Sequence, residues 1–143
     1  MTRYLLDTNI ISNAVRPVPS PDLVTWLGMQ PDGSLFISAL TLGEIWRGIL
    51  ALPGGKRRRA LESWFAGPDG PPSLFAGRVL AYDEPAALAW ARLMAEGAAS
   101  GRPRSVLDMI VAAVALVNGC VIVTDSERDF AGLGAINPMR PMQ

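Results

Sequence analysis

The chain has 143 residues, of which half are apolar and 18% are charged, and its thirteen basic residues balance thirteen acidic ones. A net charge of zero gives no general attraction for nucleic acid, although it leaves room for a local basic patch. The sequence contains no histidine and one cysteine. This excludes Ser-His-Asp and Cys-His catalysis, zinc sites that need imidazole, and a disulfide within the chain.

Short apolar strands alternate with helices along the chain. In order, we predict a strand at 3–7, helices at 8–15 and 21–29, a strand at 34–38, helices at 41–52 and 56–66, a loop at 67–73, a strand at 78–83, helices at 84–99 and 105–117, a strand at 120–124 and a candidate fifth strand at 135–136. Strands joined by helices predict an α/β fold: a three-layer α/β/α sandwich with a central, mostly parallel sheet of four to five strands. The length predicts a single domain over 1–143.

No segment has the character of a membrane span. The longest apolar run, 109–117, is far shorter than the ~20 residues that cross a bilayer, and the N-terminal residues lack the apolar region of a signal peptide. We therefore expect a soluble, cytoplasmic protein with no membrane partner.

Acidic residues follow the predicted strands. Asp7 ends the first strand, Glu44 opens the helix after the second, and Asp108 opens the apolar helix at 105–117. Asp125 follows the fourth strand, and Asp129 lies four residues later. Sites in open parallel sheets form beyond the carboxyl ends of the strands, so these acids are expected to converge. Carboxylates without His or Cys favour Mg²⁺ or Mn²⁺ over zinc.

Each acid also has a purely local interpretation. Asp7 can cap the helix that follows it. Thr41-Leu-Gly-Glu44 matches a capping box, in which Glu44 serves its own helix. Ser105-Val-Leu-Asp108 is a related pattern, but an ionised Asp108 among apolar neighbours is costly unless a cation or donors meet it. These alternatives stay open at this level.

Four motifs in order resemble the PIN domain: LLDTN, LTLGEI, VLDMIVAAVAL and VIVTDSERDF. The chain is most similar to VapC-type toxins of toxin–antitoxin systems, and RPVPSPDLVTWL, LFAGRVLAYDEPAA and the final INP resemble the FitB-like branch. The resemblance implies an α/β/α fold and an endoribonuclease that uses Mg²⁺ or Mn²⁺ to activate water. It implies metal ligation by Asp7, Glu44 and Asp108, with polar support from Thr8, Asn9 and Thr124.

The last motif departs from the family pattern. PIN toxins often have T-R-N or T-R-D there, and Ser126 occupies the position of the Asn or Asp in this chain. We take Asp125 as the fourth acid of the catalytic set and as a metal ligand, because it lies closest to the strand end. Asp129 is the second choice for this fourth ligand.

Basic residues provide candidate RNA contacts. Arg102 and Arg104 precede the helix of Asp108, and Lys56 and Arg57 begin a basic run, although a solvated helix face or loop would look the same. The resemblance also implies a homodimer, an RNA substrate and a cognate antitoxin protein whose segment lies in a groove between helices.

Three other functions fit parts of the sequence. A haloacid-dehalogenase-type phosphate-transfer enzyme or a receiver domain also places an Asp at the end of its first strand. Both normally use a late lysine, and the only lysine, Lys56, lies in the middle of the chain. The third is a PIN-like module that binds RNA or a partner without cleavage, which the unusual last motif keeps open.

Overall fold

The computed structural model describes residues 1–140. Its strands are β1 (Arg3–Leu6), β2 (Leu35–Ser38), β3 (Val79–Leu80) and β4 (Cys120–Val123). Its α-helices are α1 (Thr8–Ala14), α2 (Pro21–Met29), α3 (Ala39–Leu50), α4 (Lys56–Ala66), α5 (Pro71–Leu74), α6 (Glu84–Ala99) and α7 (Val106–Val117). Short 3₁₀ helices occur at Asp32–Ser34 and Glu127–Phe130.

The four strands form one parallel sheet in the order β3-β2-β1-β4. The central strand β1 pairs on one side with β2, where Tyr4 lies opposite Leu35, and on the other with β4, where Tyr4 lies opposite Val121. The candidate fifth strand is reduced to one parallel bridge between Val123 and Ile136. All carboxyl ends therefore point the same way, which fixes the edge at which a site can form.

Alternation along the strands divides the core into two layers. Leu5 belongs to the layer under α6 and α7, whereas Leu6 belongs to the layer under α1 and α2. Ile122 and Val123 of β4 are split between the two layers in the same way. Successive side chains of a strand point to opposite faces, so apolar strands are buried on both sides. The predicted three-layer α/β/α fold is confirmed.

The region 67–83 differs from the prediction. A short helix, α5, forms within the predicted loop because Pro71 and Pro72 at its start suit the first helical turn. Only Val79–Leu80 of the predicted strand 78–83 pairs with β2. Asp83 instead caps α6, where its side chain accepts a hydrogen bond from the Ala86 N–H at 3.2 Å.

The start of α3 also differs from the prediction. The helix begins at Ala39 rather than Thr41, and Ser38 is its cap, since the Ser38 hydroxyl accepts from the Thr41 N–H at 3.1 Å. The prediction that Glu44 opens this helix is therefore wrong, because Glu44 lies on its second turn. Within residues 1–140, no helix is both long enough and apolar enough to cross a membrane. The predicted domain range of 1–143 extends into 141–143, outside the described residues.

Candidate active site

Asp7 lies at the junction of β1 and α1 and is held from both sides. Its backbone N–H donates to the Val123 carbonyl at 2.8 Å, which continues the pairing with β4. Its Oδ1 accepts from the Thr8 N–H at 2.9 Å, and its Oδ2 accepts from the Thr124 hydroxyl at 2.9 Å. The side chain is 5% exposed. The local capping role is therefore real, and the contact with Thr124 fixes the carboxylate at the sheet edge as well.

Glu44 is turned toward this carboxylate rather than toward its own helix terminus. Its Oε1 accepts from the Thr8 hydroxyl at 2.7 Å, and that hydroxyl lies 3.2 Å from the Thr41 hydroxyl. Because Ser38 caps α3, the capping-box interpretation of Glu44 is wrong. Thr8 follows Asp7 directly in the chain, so its hydroxyl connects the Glu44 carboxylate to the start of α1.

Asp108 lies in the first turn of α7, where its N–H donates to the Ser105 hydroxyl at 3.3 Å. Burial raises the pKa of the Asp108 carboxyl above its usual value, and the nearby negative charges of Asp129 and Glu44 raise it further. The negative charges of Glu44 and Asp129, from two other segments of the chain, are therefore close enough to disfavour ionisation of Asp108.

The acids open onto one cleft of about 350 Å³. Its lining includes Asp7, Glu44, Asp108 and Asp125. Burial raises the pKa of Asp7 to about 6, and the negative charges of Asp108 and Glu44 add to this effect, whereas the hydrogen bonds from Thr124 and Thr8 oppose it. An exposed cation that the sequence prediction missed, Arg16, also lines the cleft.

The loop after β4 is held against α1 by Asn9. The Asn9 amide donates to the Ser126 hydroxyl at 2.9 Å, and its Oδ1 accepts from the Asp125 N–H at 3.1 Å. The Ser126 N–H in turn donates to the Thr124 hydroxyl at 2.9 Å. The predicted supporting residues Thr8, Asn9 and Thr124 all contact the site, and Ser126 serves as a hydrogen-bonding partner at the position where the family often has Asn or Asp.

The two candidates for a fourth acid lie in different surroundings. Asp125 is exposed in the acid cleft, and its Oδ1 accepts from the Asn137 amide at 3.1 Å. Asp129 is exposed on the 3₁₀ helix, where its charge raises the pKa of Asp108. Asp125 therefore lies beside Asp7 in the cleft, whereas Asp129 acts electrostatically on Asp108.

The predicted RNA-binding arginines and lysine do not share one surface. Arg102 and Arg104 line a second cleft beside the acids, together with Asp129. Arg57 lines a groove between α1, α3 and α4, and Lys56 is exposed at the start of α4. The basic run at 56–59 and the arginines before α7 are therefore distinct candidates.

The donor set suits a hard divalent cation. It offers carboxylate oxygens from separate elements, and two of the carboxyls have raised pKa values that a cation would lower. Within residues 1–140, no three acidic side chains stand close enough to hold one ion as they are. A shared ion would therefore require at least one of these side chains to move.

The raised pKa of Asp7 predicts an unusual pH dependence for the metal-free protein. The folded state binds a proton at Asp7 up to about pH 6, whereas the unfolded carboxyl loses it near 3.8. The contribution of Asp7 to the free energy of unfolding therefore falls by up to about 3 kcal/mol as the pH rises from 3.8 to about 6. It stays low at higher pH. In chelator, we expect Asp7→Asn to be more stable than wild type at pH 8, with the difference shrinking toward pH 4. Urea unfolding at both pH values measures this, and a difference that grows toward pH 4 would contradict it.

The comparisons with known proteins agree with this geometry. Residues 4–135 match the PIN domain family. The VapC ribonuclease Y4jK of Sinorhizobium fredii is 36% identical over 139 residues, covering 96% of this chain and 98% of that protein. The toxin FitB of Neisseria gonorrhoeae is 32% identical over 136 residues, covering 94% and 96%. The structure of FitAB bound to an IR36 DNA fragment superposes with a TM-score of 0.88 at 30% identity, and the match covers 98% of each chain.

The chain therefore belongs to the PIN-domain family. Within that family it is similar to the VapC-type toxins, FitB among them, so the predicted resemblance is confirmed. Nucleases of this family generally depend on a divalent metal ion. The roles of the individual acids stay predictions.

Proposed function

We propose that this protein is the toxin of a toxin–antitoxin pair and acts as an endoribonuclease that uses Mg²⁺ or Mn²⁺. The observation that carries the proposal is the convergence of Asp7, Glu44 and Asp108, from three separate segments, on one cleft at the carboxyl edge of the sheet. The similarity to a VapC ribonuclease supports the reaction class.

In this proposal Asp7, Glu44 and Asp108 hold the cation, and Asp125 or Asp129 completes the acidic set. A divalent cation bound there lowers the pKa of water and neutralises charge on the phosphodiester. Thr124 keeps Asp7 in place through its hydroxyl, and Thr8 does the same for Glu44 until the ion binds. Hydrogen-bonded neighbours of this kind set the orientation of metal ligands.

Two apolar surfaces support the proposed partners. The groove of about 620 Å³ between α1, α3 and α4 is lined by apolar side chains that include Ile45 and Trp64, and Glu44 also lines it. It suits an antitoxin segment that reaches the acids, in keeping with the FitAB similarity. Exposed apolar side chains on α6 and α7, including Leu88 and Leu116, support a homodimer. We place this activity in the cytoplasm, where RNA is available.

One feature favours a second candidate, a PIN-like module that binds RNA or a partner without cleaving it. The position at which the family often has Asn or Asp is Ser126, whose hydroxyl accepts from Asn9. A serine there supplies no negative charge, so a weakened site is the alternative to a working nuclease.

The test is RNA cleavage by the purified protein with and without metal. We expect total RNA to be cut when Mg²⁺ or Mn²⁺ is present, to stay intact in chelator, and to be cut again when Mn²⁺ is restored. We expect this dependence because a cation held by the carboxylates would lower the pKa of water and neutralise charge on the phosphodiester. Binding without cleavage in either metal would favour the second candidate, and cleavage that persists in excess chelator would contradict the proposed mechanism.

A further inference from the structure

The cleft beside the acids is lined by Arg102, Arg128 and Asp129 and is called the arginine cleft. We propose that the arginine cleft binds the phosphates of the RNA strand that leads away from the reacting bond. This inference rests on the proposed function, since it assigns a path to the same substrate. It adds Arg128, which no sequence motif indicated, and it separates Arg102 from its neighbour Arg104.

The arginine cleft has the size and charge for a nucleic-acid strand. Its volume is about 760 Å³, and its lining carries three arginines against one aspartate. Within residues 1–140, the side chains of Arg102 and Arg128 make no ion pair or hydrogen bond, and both residues are exposed. Two guanidinium groups are therefore available, and a guanidinium matches phosphate with paired donors.

The arginine cleft adjoins the acid cleft. Asp125 and Ser126 line the acid cleft, and the 3₁₀ helix that follows them directly carries Arg128 and Asp129 of the arginine cleft. Ser105, in the arginine cleft, caps the helix on which Asp108 lies and accepts from the Asp108 N–H at 3.3 Å. A phosphodiester at the acids would therefore have its neighbouring phosphates within the field of these arginines.

Arg104 lines the same cleft but is already committed to the fold. Its Nη1 donates to the Leu93 carbonyl at 2.8 Å and lies 3.5 Å from a Glu96 carboxylate oxygen. Its Cγ lies so close to Gly97 that a Cβ at that glycine would meet it at 3.0 Å. We therefore assign Arg104 to joining α6 to the segment before α7, and Arg102 and Arg128 to RNA.

The experiment measures binding and cleavage separately. Binding of a fluorescent, short single-stranded RNA of random sequence is followed by anisotropy across a range of KCl concentrations, in the non-cleaving Asp7→Asn background. We expect Arg102→Ala with Arg128→Ala to weaken binding by about tenfold and to reduce the slope of log K against log salt by about one for each arginine. Arg102→Lys with Arg128→Lys should keep most of the slope, because lysine still binds phosphate as a point charge.

Arg92→Ala is the matched control, since Arg92 is an exposed arginine on α6 that lines neither cleft. It removes the same charge and should change neither the affinity nor the salt slope. Melting temperatures of all variants should agree with that of the parent. An unchanged salt slope in the alanine double variant, or an equal loss in Arg92→Ala, would overturn the inference.

The inference and the proposed function fail in different ways. If the native protein cuts RNA and the alanine double variant cuts it with an unchanged dependence on RNA concentration, the nuclease stands and the arginine cleft does not. If the native protein binds RNA through these arginines but never cuts it, the arginine cleft stands and the nuclease does not. If the native protein does not bind RNA, the assignment of the arginine cleft is overturned.

Discussion

Replacing Asp7 with asparagine is expected to reduce RNA cleavage by about 100-fold or more, because loss of a metal ligand removes several kcal/mol of charge stabilisation. The substitution keeps the size of the side chain and one carbonyl oxygen that can still accept from the Thr8 N–H. The folded protein should therefore persist. Single-turnover cleavage assays with saturating Mn²⁺ measure the effect.

The loss of cleavage in Asp7→Asn should be accompanied by a gain of stability in chelator at pH 8, because the variant removes a buried carboxylate. A residue that merely maintained the fold would lose activity and stability together. Asp69→Asn is the matched control, since Asp69 is exposed in the segment between α4 and α5. It should leave both quantities unchanged. Cleavage by Asp7→Asn within a few-fold of wild type would remove Asp7 from the proposed set of ligands.

Replacing Asp108 with asparagine is expected to be about as severe, again about 100-fold or more, for the same loss of charge stabilisation. The same substitution at Asp129 and at Asp125 then identifies the fourth acid. We expect Asp125→Asn to cost more than Asp129→Asn, because Asp125 lines the acid cleft with Asp7 and Asp108, whereas Asp129 lines the arginine cleft. The measurement is the single-turnover rate as a function of Mn²⁺ concentration.

Two results would contradict the expected effects of these three variants. If Asp129→Asn is the more damaging of the two, the fourth acid lies on the 3₁₀ helix, and the choice of Asp125 is wrong. If Asp108→Asn retains cleavage within a few-fold of wild type, the assignment of metal ligands on α7 is wrong, whatever the result at the other two positions.

The sheet and its helices were predictable because the apolar pattern is simple. Leu5 and Leu6, or Ile122 and Val123, are consecutive apolar residues in short runs, and a strand covered on both faces buries both of them. The edge strand was overestimated, since the strand 78–83 pairs only at Val79–Leu80. An edge strand has one neighbour, and local capping by Asp83 then competes successfully with pairing.

The site was predictable to the level of which residues lie near it. Asp7 and Asp108 follow from their places after a strand and at the start of a helix, whereas Glu44, on the second turn of α3, was indicated by its motif. Their contacts were not predictable, because the Thr124 hydroxyl that holds Asp7 lies 117 positions away in the chain. Nor did any pattern indicate Arg16 or Arg128, since an exposed arginine has no sequence signature and its role depends on the cleft it lines.

The most direct test of the central claim is a crystal structure of the protein soaked in Mn²⁺, with anomalous diffraction recorded to locate the ion. The account predicts an anomalous peak in the acid cleft, with carboxylate oxygens of Asp7 and Asp108 as ligands and Glu44 turned away from Thr8 toward the ion. Manganese bound only elsewhere, or a fully soaked crystal in which these three carboxylates keep their metal-free contacts, would contradict it.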